Sequence, residues 1–303
     1  MKTPAEGRWD PGQYHKFSDH RRRPAVELLA RVPPEGSPGL VVDLGCGSGE
    51  ITRLIAARWP GAVVQGVDNS PDMLARARAG DAGVAGTGTG SRPGSESGSE
   101  PESGPGPESE DTGSRQAGIE WIEADIAGWS PPSPPGLLYA NASLQWVDGH
   151  ETLFPRLFRS LPPGGVLAVQ MPRSREARSH LLMHEILASG GPGGEPIGPA
   201  ALRREMARKW VLDPETYHDL LSPDAEALDI WTTEYLQVLE GDDPVLEWVR
   251  GTGLRPILNG LVKADLVHFL DAYRPALRDA YPRRADGATL YPFPRLFIVA
   301  TRA

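Results

Sequence analysis

Cysteine is almost absent from this chain: Cys46 is the single one in 303 residues, so no disulfide can form within it. No apolar run approaches the ~20 residues that a membrane-spanning helix needs. The opening Met1-Lys-Thr-Pro-Ala-Glu-Gly-Arg8 has no apolar core of the signal-peptide kind. The expectation is a soluble cytoplasmic protein. No block of lysine and arginine is present, and the net charge is −9 with 23% of residues charged, which argues against nucleic acid or a membrane as partner. Much of the negative charge sits in one tract, Glu96 to Asp111. The rest of the chain is closer to neutral, so a small anionic substrate stays open. The seven histidines include no H-E-x-x-H motif and there is no cysteine pair, so no metal site is expected.

What is present is a glycine loop. Val41-Val42-Asp43-Leu44 reads as the end of a buried strand, and Gly45-Cys46-Gly47-Ser48-Gly49 follows with glycine at alternate positions. Such spacing lets the backbone turn sharply and approach a ligand closely. Ile51, Leu54, Ile55 and Trp59 then recur on one helical face. A dinucleotide fingerprint, G-x-G-x-x-G, would need glycine at 50, where Glu50 stands. The D-x-G-x-G-x-G pattern suits S-adenosylmethionine, which has no pyrophosphate for an acid to repel. A second strand ends in Asp68, whose carboxylate can accept from both hydroxyls of a ribose. Asn69 follows, with Ser70 as N-cap and Pro71 at the first helical position.

Strands and helices alternate as far as Met171, which implies a parallel sheet in a doubly wound α/β domain. Expected strands include Ile119–Asp125, Leu137–Asn141, Val166–Met171, Ala227–Leu239 and Pro294–Ala300. Expected helices span Arg22–Val32, 176–189, about 201–221, Pro244–Gly251 and Lys263–Tyr281. Residues 82–116, rich in Gly, Ser, Pro and Glu, cannot bury enough surface to offset their ordering entropy and are expected to be a disordered insertion. The expected organisation is an N-terminal lid helix with a cofactor-binding core over 9–172, a helical cap over 173–222, and the last two strands with substrate-side helices over 223–303.

Ligands of open α/β sheets bind beyond the carboxyl ends of the strands. Asp43, Gly45, Asp68, Asp125, Asn141 and Gln170 should gather there. Asp125 could accept from an adenine amine while Ile126 packs on the ring. Cys46 is read as a small apolar residue under the cofactor rather than a nucleophile. The expected cofactor contacts are therefore Asp43, Gly45, Cys46, Gly47, Gly49, Asp68, Asn69, Asp125, Ile126 and Asn141.

The runs Trp9-Asp10-Pro11-x-x-Tyr14, Arg23-Pro24 to Val32, Ala140-Asn-Ala-Ser-Leu-Gln-Trp146, Val169-Gln-Met-Pro172, Thr252-Gly-Leu-Arg-Pro256 and Phe293-Pro-Arg-Leu-Phe-Ile-Val-Ala300 carry a family resemblance. The chain resembles the class I S-adenosylmethionine-dependent methyltransferases, and among them the trans-aconitate 2-methyltransferase family. The insertion and the Gly190–Arg204 stretch depart from the family pattern. The resemblance implies a Rossmann-like, seven-stranded, mostly parallel sheet with an antiparallel last strand and a helical substrate-side lid. It implies methyl transfer to a carboxylate of a small tricarboxylate with no catalytic base, and a monomer is expected. Arginine suits the remaining carboxylates: Arg295 at the mouth of an apolar strand, Arg255 in a turn, and Arg23 near the lid. Tyr14, His20, Gln145, Trp146, Gln170 and Tyr291 complete the expected substrate contacts. Two alternatives stay open. One is a methyltransferase for another small acid or hydroxyl, with His20 as base; the other is a non-catalytic S-adenosylmethionine-binding regulator.

Overall fold

Apolar runs flanked by glycine become the centre of a sheet. A computed structural model of the chain describes residues 18–33, 38–85 and 118–303. Seven strands among these residues take the order β3-β2-β1-β4-β5-β7-β6. They are β1 (Leu40–Leu44), β2 (Val63–Asp68), β3 (Glu120–Glu123), β4 (Leu137–Asn141), β5 (Val166–Pro172), β6 (Ala225–Leu239) and β7 (Thr289–Arg302). The first five are parallel, and β7 runs antiparallel to both β5 and β6. Such a sheet is covered on both faces, which is why its central strands are apolar throughout rather than alternating.

Ten α-helices lie among the described residues: α1 (Ser18–Arg31), α2 (Glu50–Arg58), α3 (Pro71–Ala85), α4 (His150–Arg159), α5 (Arg178–Ser189), α6 (Ala200–Ala207), α7 (Pro214–Leu221), α8 (Pro244–Arg250), α9 (Arg255–Gly260) and α10 (Lys263–Ala280). On one face of the sheet, Leu28 of α1, Ile55 of α2 and Trp59 just past its end pack with Val41, Tyr139 and Phe297. On the other, Phe154 and Phe158 of α4 and Tyr217 and Leu221 of α7 pack with Val42, Leu138, Leu167 and Ile298. A third apolar cluster joins α5, α6 and α8–α10 to Tyr291 and Phe293 at the start of β7. Among the described residues no helix is long and apolar enough to cross a membrane.

Several elements differ from expectation. The single helix expected over 201–221 is two, α6 and α7, because Pro214 has no N–H to continue a helix and holds Asp213 extended. Consequently α7 lies against α4 rather than in the cap. Of the tract 82–116, residues 82–85 extend α3, since Ala-Gly-Val-Ala continues a helix already nucleated. The remainder of that tract lies outside the described residues, as do Trp9–Tyr14. Helix α1 starts at Ser18, so Pro24 is interior to it rather than at its start. Strand β7 begins five residues before Pro294. Pro294 accepts a hydrogen bond from Arg173 N on the β5 side. Its missing N–H faces that same side, beyond the end of β5, so pairing with β6 is undisturbed.

Candidate cofactor and substrate site

The carboxyl ends of β1, β2, β4 and β5 meet at one edge, and the glycine loop closes over it. Val67 O at the end of β2 accepts from Gly45 N at 2.7 Å and Cys46 N at 3.0 Å. Asp68 accepts from Gly47 N through Oδ2 and from Ser70 N through Oδ1, both at 2.9 Å. Its orientation is thus fixed by the backbone, and each oxygen keeps a lone pair for a ligand hydroxyl. Gly45 has φ +76°, and a Cβ there would lie 2.2 Å from Ser143 Cβ. Ser143 is held in turn by donating to Leu44 O at 2.6 Å. Gly47 has φ +55° and its added Cβ would meet no atom within 4 Å. One glycine is required by the protein's own packing; the other faces open space in which a ligand can lie.

Asp43 sits beneath the loop, only 2% exposed, and accepts from Thr52 Oγ1 at 2.6 Å. It ties β1 to α2 and has no surface to offer the cofactor, contrary to expectation. Burial pushes its carboxyl up to about 7, helped by the charge of Asp68 and opposed by the Thr52 hydrogen bond. A carboxyl raised in the folded state stabilises the fold at low pH, and that contribution is lost as pH rises from the ordinary ~3.8 through about 7. Asp43→Asn removes the titration. Its melting temperature relative to wild type should therefore be higher at pH 8 than at pH 5, by an amount of order a few kcal/mol in stability. An unchanged difference between the two pH values would show that Asp43 is ionised without penalty.

Cys46 is buried beside Gly66, and burial, then the charges of Asp43 and Asp68, push its thiol far above the ordinary range. Asn69 is exposed. Asp125 lies two residues past β3, exposed, and uses Oδ1 to accept from Ala127 N at 2.9 Å, an Asx turn that caps the 125–129 turn. Ile126 beside it is buried. Gly49 precedes α2 under the ring of Trp121, a packing residue that sequence patterning did not single out. Trp121 donates to Asp81 at 2.7 Å, which also pairs with Arg53 at 2.9 Å.

Asn141 and Gln170 are register partners at the ends of β4 and β5 and share a face with Tyr139, whose hydroxyl donates to Ala25 O of α1 at 2.7 Å. Gln170 is fully buried, and its Oε1 accepts from Arg295 Nη1 at 2.9 Å. This fixes the amide with its NH2 directed away from Arg295. Among the described residues, Gln170 Nε2, Asn141 Oδ1 and Gln145 Oε1 are buried without a hydrogen-bond partner. Three unsatisfied polar atoms around one edge are costly unless a ligand completes them. Arg295 is 4% exposed and lies mid-strand, not at a strand mouth, because β7 is longer than expected. Its guanidinium stands over Phe293 at 4.7 Å.

The turn after β4 carries Gln145 and Trp146 on a 3-10 segment. His150 holds that segment: its Nε2 lies 2.9 Å from Leu144 O and its Nδ1 2.6 Å from Tyr217 Oη. Burial lowers its pKa, so it is neutral, donating to the carbonyl and accepting from the tyrosine. Trp146 is 59% exposed, so it is no core residue. Arg23 stands over the Tyr235 ring but is paired with Glu27 at 2.7 Å, while Tyr235 donates to the other Glu27 oxygen. Arg255 opens α9 and is half-buried. Tyr291 is fully buried in the cap core, its hydroxyl 3.1 Å from Ser179 Oγ, so it lines no substrate wall. His20 falls in α1 with its side chain outside the described residues; Tyr14 lies outside them altogether.

The donor set fits S-adenosylmethionine. The open space over Gly47, the fixed Asp68 carboxylate, the apolar Ile126 and the unsatisfied Asn141 carbonyl offer what a backbone cradle, a ribose diol, an adenine ring and a polar tail require. A methyltransferase-domain family model matches residues 17–225. Curated relatives include the trans-aconitate 2-methyltransferases of Paracidovorax citrulli and Methylobacterium radiotolerans, each 44% identical over 97% of this chain and 98% of their own length. That of Streptomyces avermitilis is 42% identical over 96% of both chains. Among solved structures, phosphoethanolamine N-methyltransferase 2 of Haemonchus contortus superposes over 92% of this chain and 52% of its own, with TM-score 0.49 and 14% identity. At that distance the likeness carries nothing further.

Proposed function

Because the chain belongs to the methyltransferase-domain family and has curated trans-aconitate 2-methyltransferases among its relatives, we propose that it transfers a methyl group to a carboxylate of trans-aconitate, giving a monomethyl ester and S-adenosylhomocysteine. S-Adenosylmethionine, when bound, supplies both the methyl group and the sulfonium leaving group. Gly47, Asp68, Ile126 and Asn141 hold it at the carboxyl edge of the sheet.

The observation that carries the substrate side is the buried Arg295–Gln170 pair at the end of β5. A carboxylate acceptor is ionised at neutral pH and needs no base to become a nucleophile. It does need to be held in line, and alignment is worth on the order of 7–11 kcal/mol when the geometry is good. The Arg295 guanidinium grips a carboxylate that does not react, and the Gln170 NH2 donates to it or to its neighbour. His150 is committed to Leu144 and Tyr217, which leaves neither ring nitrogen for proton transfer. Trp146 offers an exposed aromatic wall. The protein acts as a monomer on a small molecule.

A methyl-transfer assay across trans-aconitate, cis-aconitate, isocitrate and citrate, with mass detection of the ester, tests this. The highest kcat/KM is expected for trans-aconitate. Absence of ester from all four acids, with the methyl donor bound, would overturn the substrate assignment.

A further inference from the structure

The turn after β4 is held in a conformation that its residues do not favour. Among the described residues, Ala142 is the one non-glycine residue with positive φ, at +52°, where a Cβ crowds the following carbonyl. Strain of this kind persists only where the surroundings over-determine it. Ala142 N donates to Gln170 O at 2.9 Å, and Ala142 O accepts from Gln145 Nε2 at 2.7 Å. Ser143 Oγ donates to Leu44 O at 2.6 Å, and Trp146 N to Ser143 O at 3.1 Å. Helix α4 takes hold of the same turn at Leu144 O, which accepts from Val147 N and from His150 Nε2, both at 2.9 Å. Both lone pairs of that carbonyl are then used.

His150 is the first residue of α4 and 2% exposed. Its direction of donation is fixed from the far side of the ring. Tyr217 Oη accepts from Leu212 N at 3.1 Å, and burial pushes the phenol pKa up, so the hydroxyl keeps its proton. That proton is directed to His150 Nδ1, 2.6 Å away, which leaves the imidazole hydrogen on Nε2, facing Leu144 O. Burial lowers the imidazole pKa and keeps the ring neutral. The rings of Phe154 and Tyr217 stand at 5.0 and 5.9 Å from it, so packing and hydrogen bonds agree on one orientation.

We propose that His150 is a positioning residue for methyl transfer: through its Nε2–H bond to Leu144 O it sets where Gln145 and Trp146 stand against the acceptor. In treating those two side chains as acceptor contacts the proposal rests on the function given above. They follow Leu144 directly in the chain. Trp146 is 59% exposed, too open for packing to fix it, so its place depends on the backbone that carries it. Misplacing a group that orients a reactant by on the order of 1 Å can cost on the order of a hundredfold in rate.

The test uses two amides that divide the imidazole between them. The amide of His150→Gln reaches the place of Nε2 and keeps a donor for Leu144 O. That of His150→Asn reaches only the place of Nδ1, beside Tyr217. Tyr217→Phe breaks a buried hydrogen bond of the same cluster and leaves the Leu144 bond in place. All three should melt lower than wild type and bind S-adenosylmethionine with unaltered affinity. In His150→Asn, kcat/KM for trans-aconitate should fall at least about tenfold. It should stay near the wild-type value in His150→Gln and Tyr217→Phe. The indole N–H signal of Trp146 in NMR spectra, assigned by its loss in Trp146→Phe, should shift or broaden in His150→Asn and hold its place in the other two. His150→Phe, which fills the space without a donor, gives the same readouts should the void left by asparagine prevent folding. A kcat/KM that follows melting temperature across the variants, or a Trp146 signal unmoved when the donor is lost, would overturn the positioning role. A wild-type protein that methylates none of the acids overturns the substrate assignment, and the Trp146 signal then decides on His150 by itself. Methylation of trans-aconitate at wild-type kcat/KM in folded His150→Asn keeps the substrate assignment and removes His150.

Discussion

Replacing Gly47 with valine should raise the dissociation constant for S-adenosylmethionine more than about a hundredfold, some 2.7 kcal/mol, while the protein stays folded. The space above Gly47 is empty of protein atoms within 4 Å of an added Cβ, so the side chain meets no wall when no ligand is bound. Its cost to the fold is backbone strain at φ +55°, about 1–2 kcal/mol. At about 2–4 °C per kcal/mol for a large domain, the melting temperature should fall by only several degrees. The same space is where a cofactor must approach the loop backbone, and two branched methyls would occupy it. Gly45→Ala should behave oppositely. Its Cβ would stand 2.2 Å from Ser143 Cβ, and Ser143 is tethered to Leu44 O, so the clash falls on the junction of β1 and β4. Stability should fall further than in Gly47→Val despite the smaller side chain. Calorimetry with the cofactor and thermal melts of both variants separate the two roles. Wild-type affinity in Gly47→Val would remove the loop from the binding site.

The parts of the fold that were legible in the sequence are those whose residues answer to local physics. The strands β1, β2, β4 and β5 are buried on both faces, so each is an apolar run that no helix period disguises. The glycine loop and Ser70-Pro71 carry their geometry in residue type, and Met73 N does bond to Ser70 Oγ, at 3.4 Å. The break at Asp213-Pro214 is equally local, since Pro214 has no N–H to continue a helix. The expected strand opens at Pro294, and its earlier start at Thr289 is not legible because Pro292 interrupts the run; only the position of β5 shows that the missing N–H groups of both prolines disturb no pairing with β6. Pairing across the chain is where sequence is silent. Gln170 and Arg295 meet through the β5–β7 register over 125 residues, and no pattern near either one announces the other. Glu27, four residues after Arg23, did offer a visible partner that makes Arg23 a weaker anchor. The H-x-x-x-H spacing of His180 and His184 stands in the sequence against the expectation of none, but among the described residues no third ligand joins the two to hold a metal.

Arg295→Lys should weaken trans-aconitate roughly ten- to a hundredfold while leaving cofactor affinity unchanged. The side chain is buried on the sheet face covered by α1, where a charge without partners would not be tolerated. One arm of the fork holds Gln170 Oε1. A lysine ammonium keeps the charge, but it is a single point donor and cannot both orient Gln170 and present a bidentate face to a carboxylate. The loss should therefore have two parts: a charge-assisted bond worth ~1.5–3 kcal/mol, and release of the Gln170 amide, whose NH2 is then no longer fixed. Gln170→Glu isolates the second part. It keeps an acceptor for Arg295, and indeed pairs with it, but it removes the donor and sets a negative charge against the substrate. If Arg295 served only to hold Gln170 and the packing of β7, Arg295→Lys would lower the melting temperature and spare KM, and Gln170→Glu would be silent toward substrate. If the pair reads a carboxylate, both variants raise KM. Turnover should fall with them, because grip on the remote carboxylate is what aligns the reacting one. Steady-state kinetics with trans-aconitate, cofactor calorimetry and thermal melts on the two variants decide between these outcomes. Wild-type KM in Arg295→Lys removes it as the anchor.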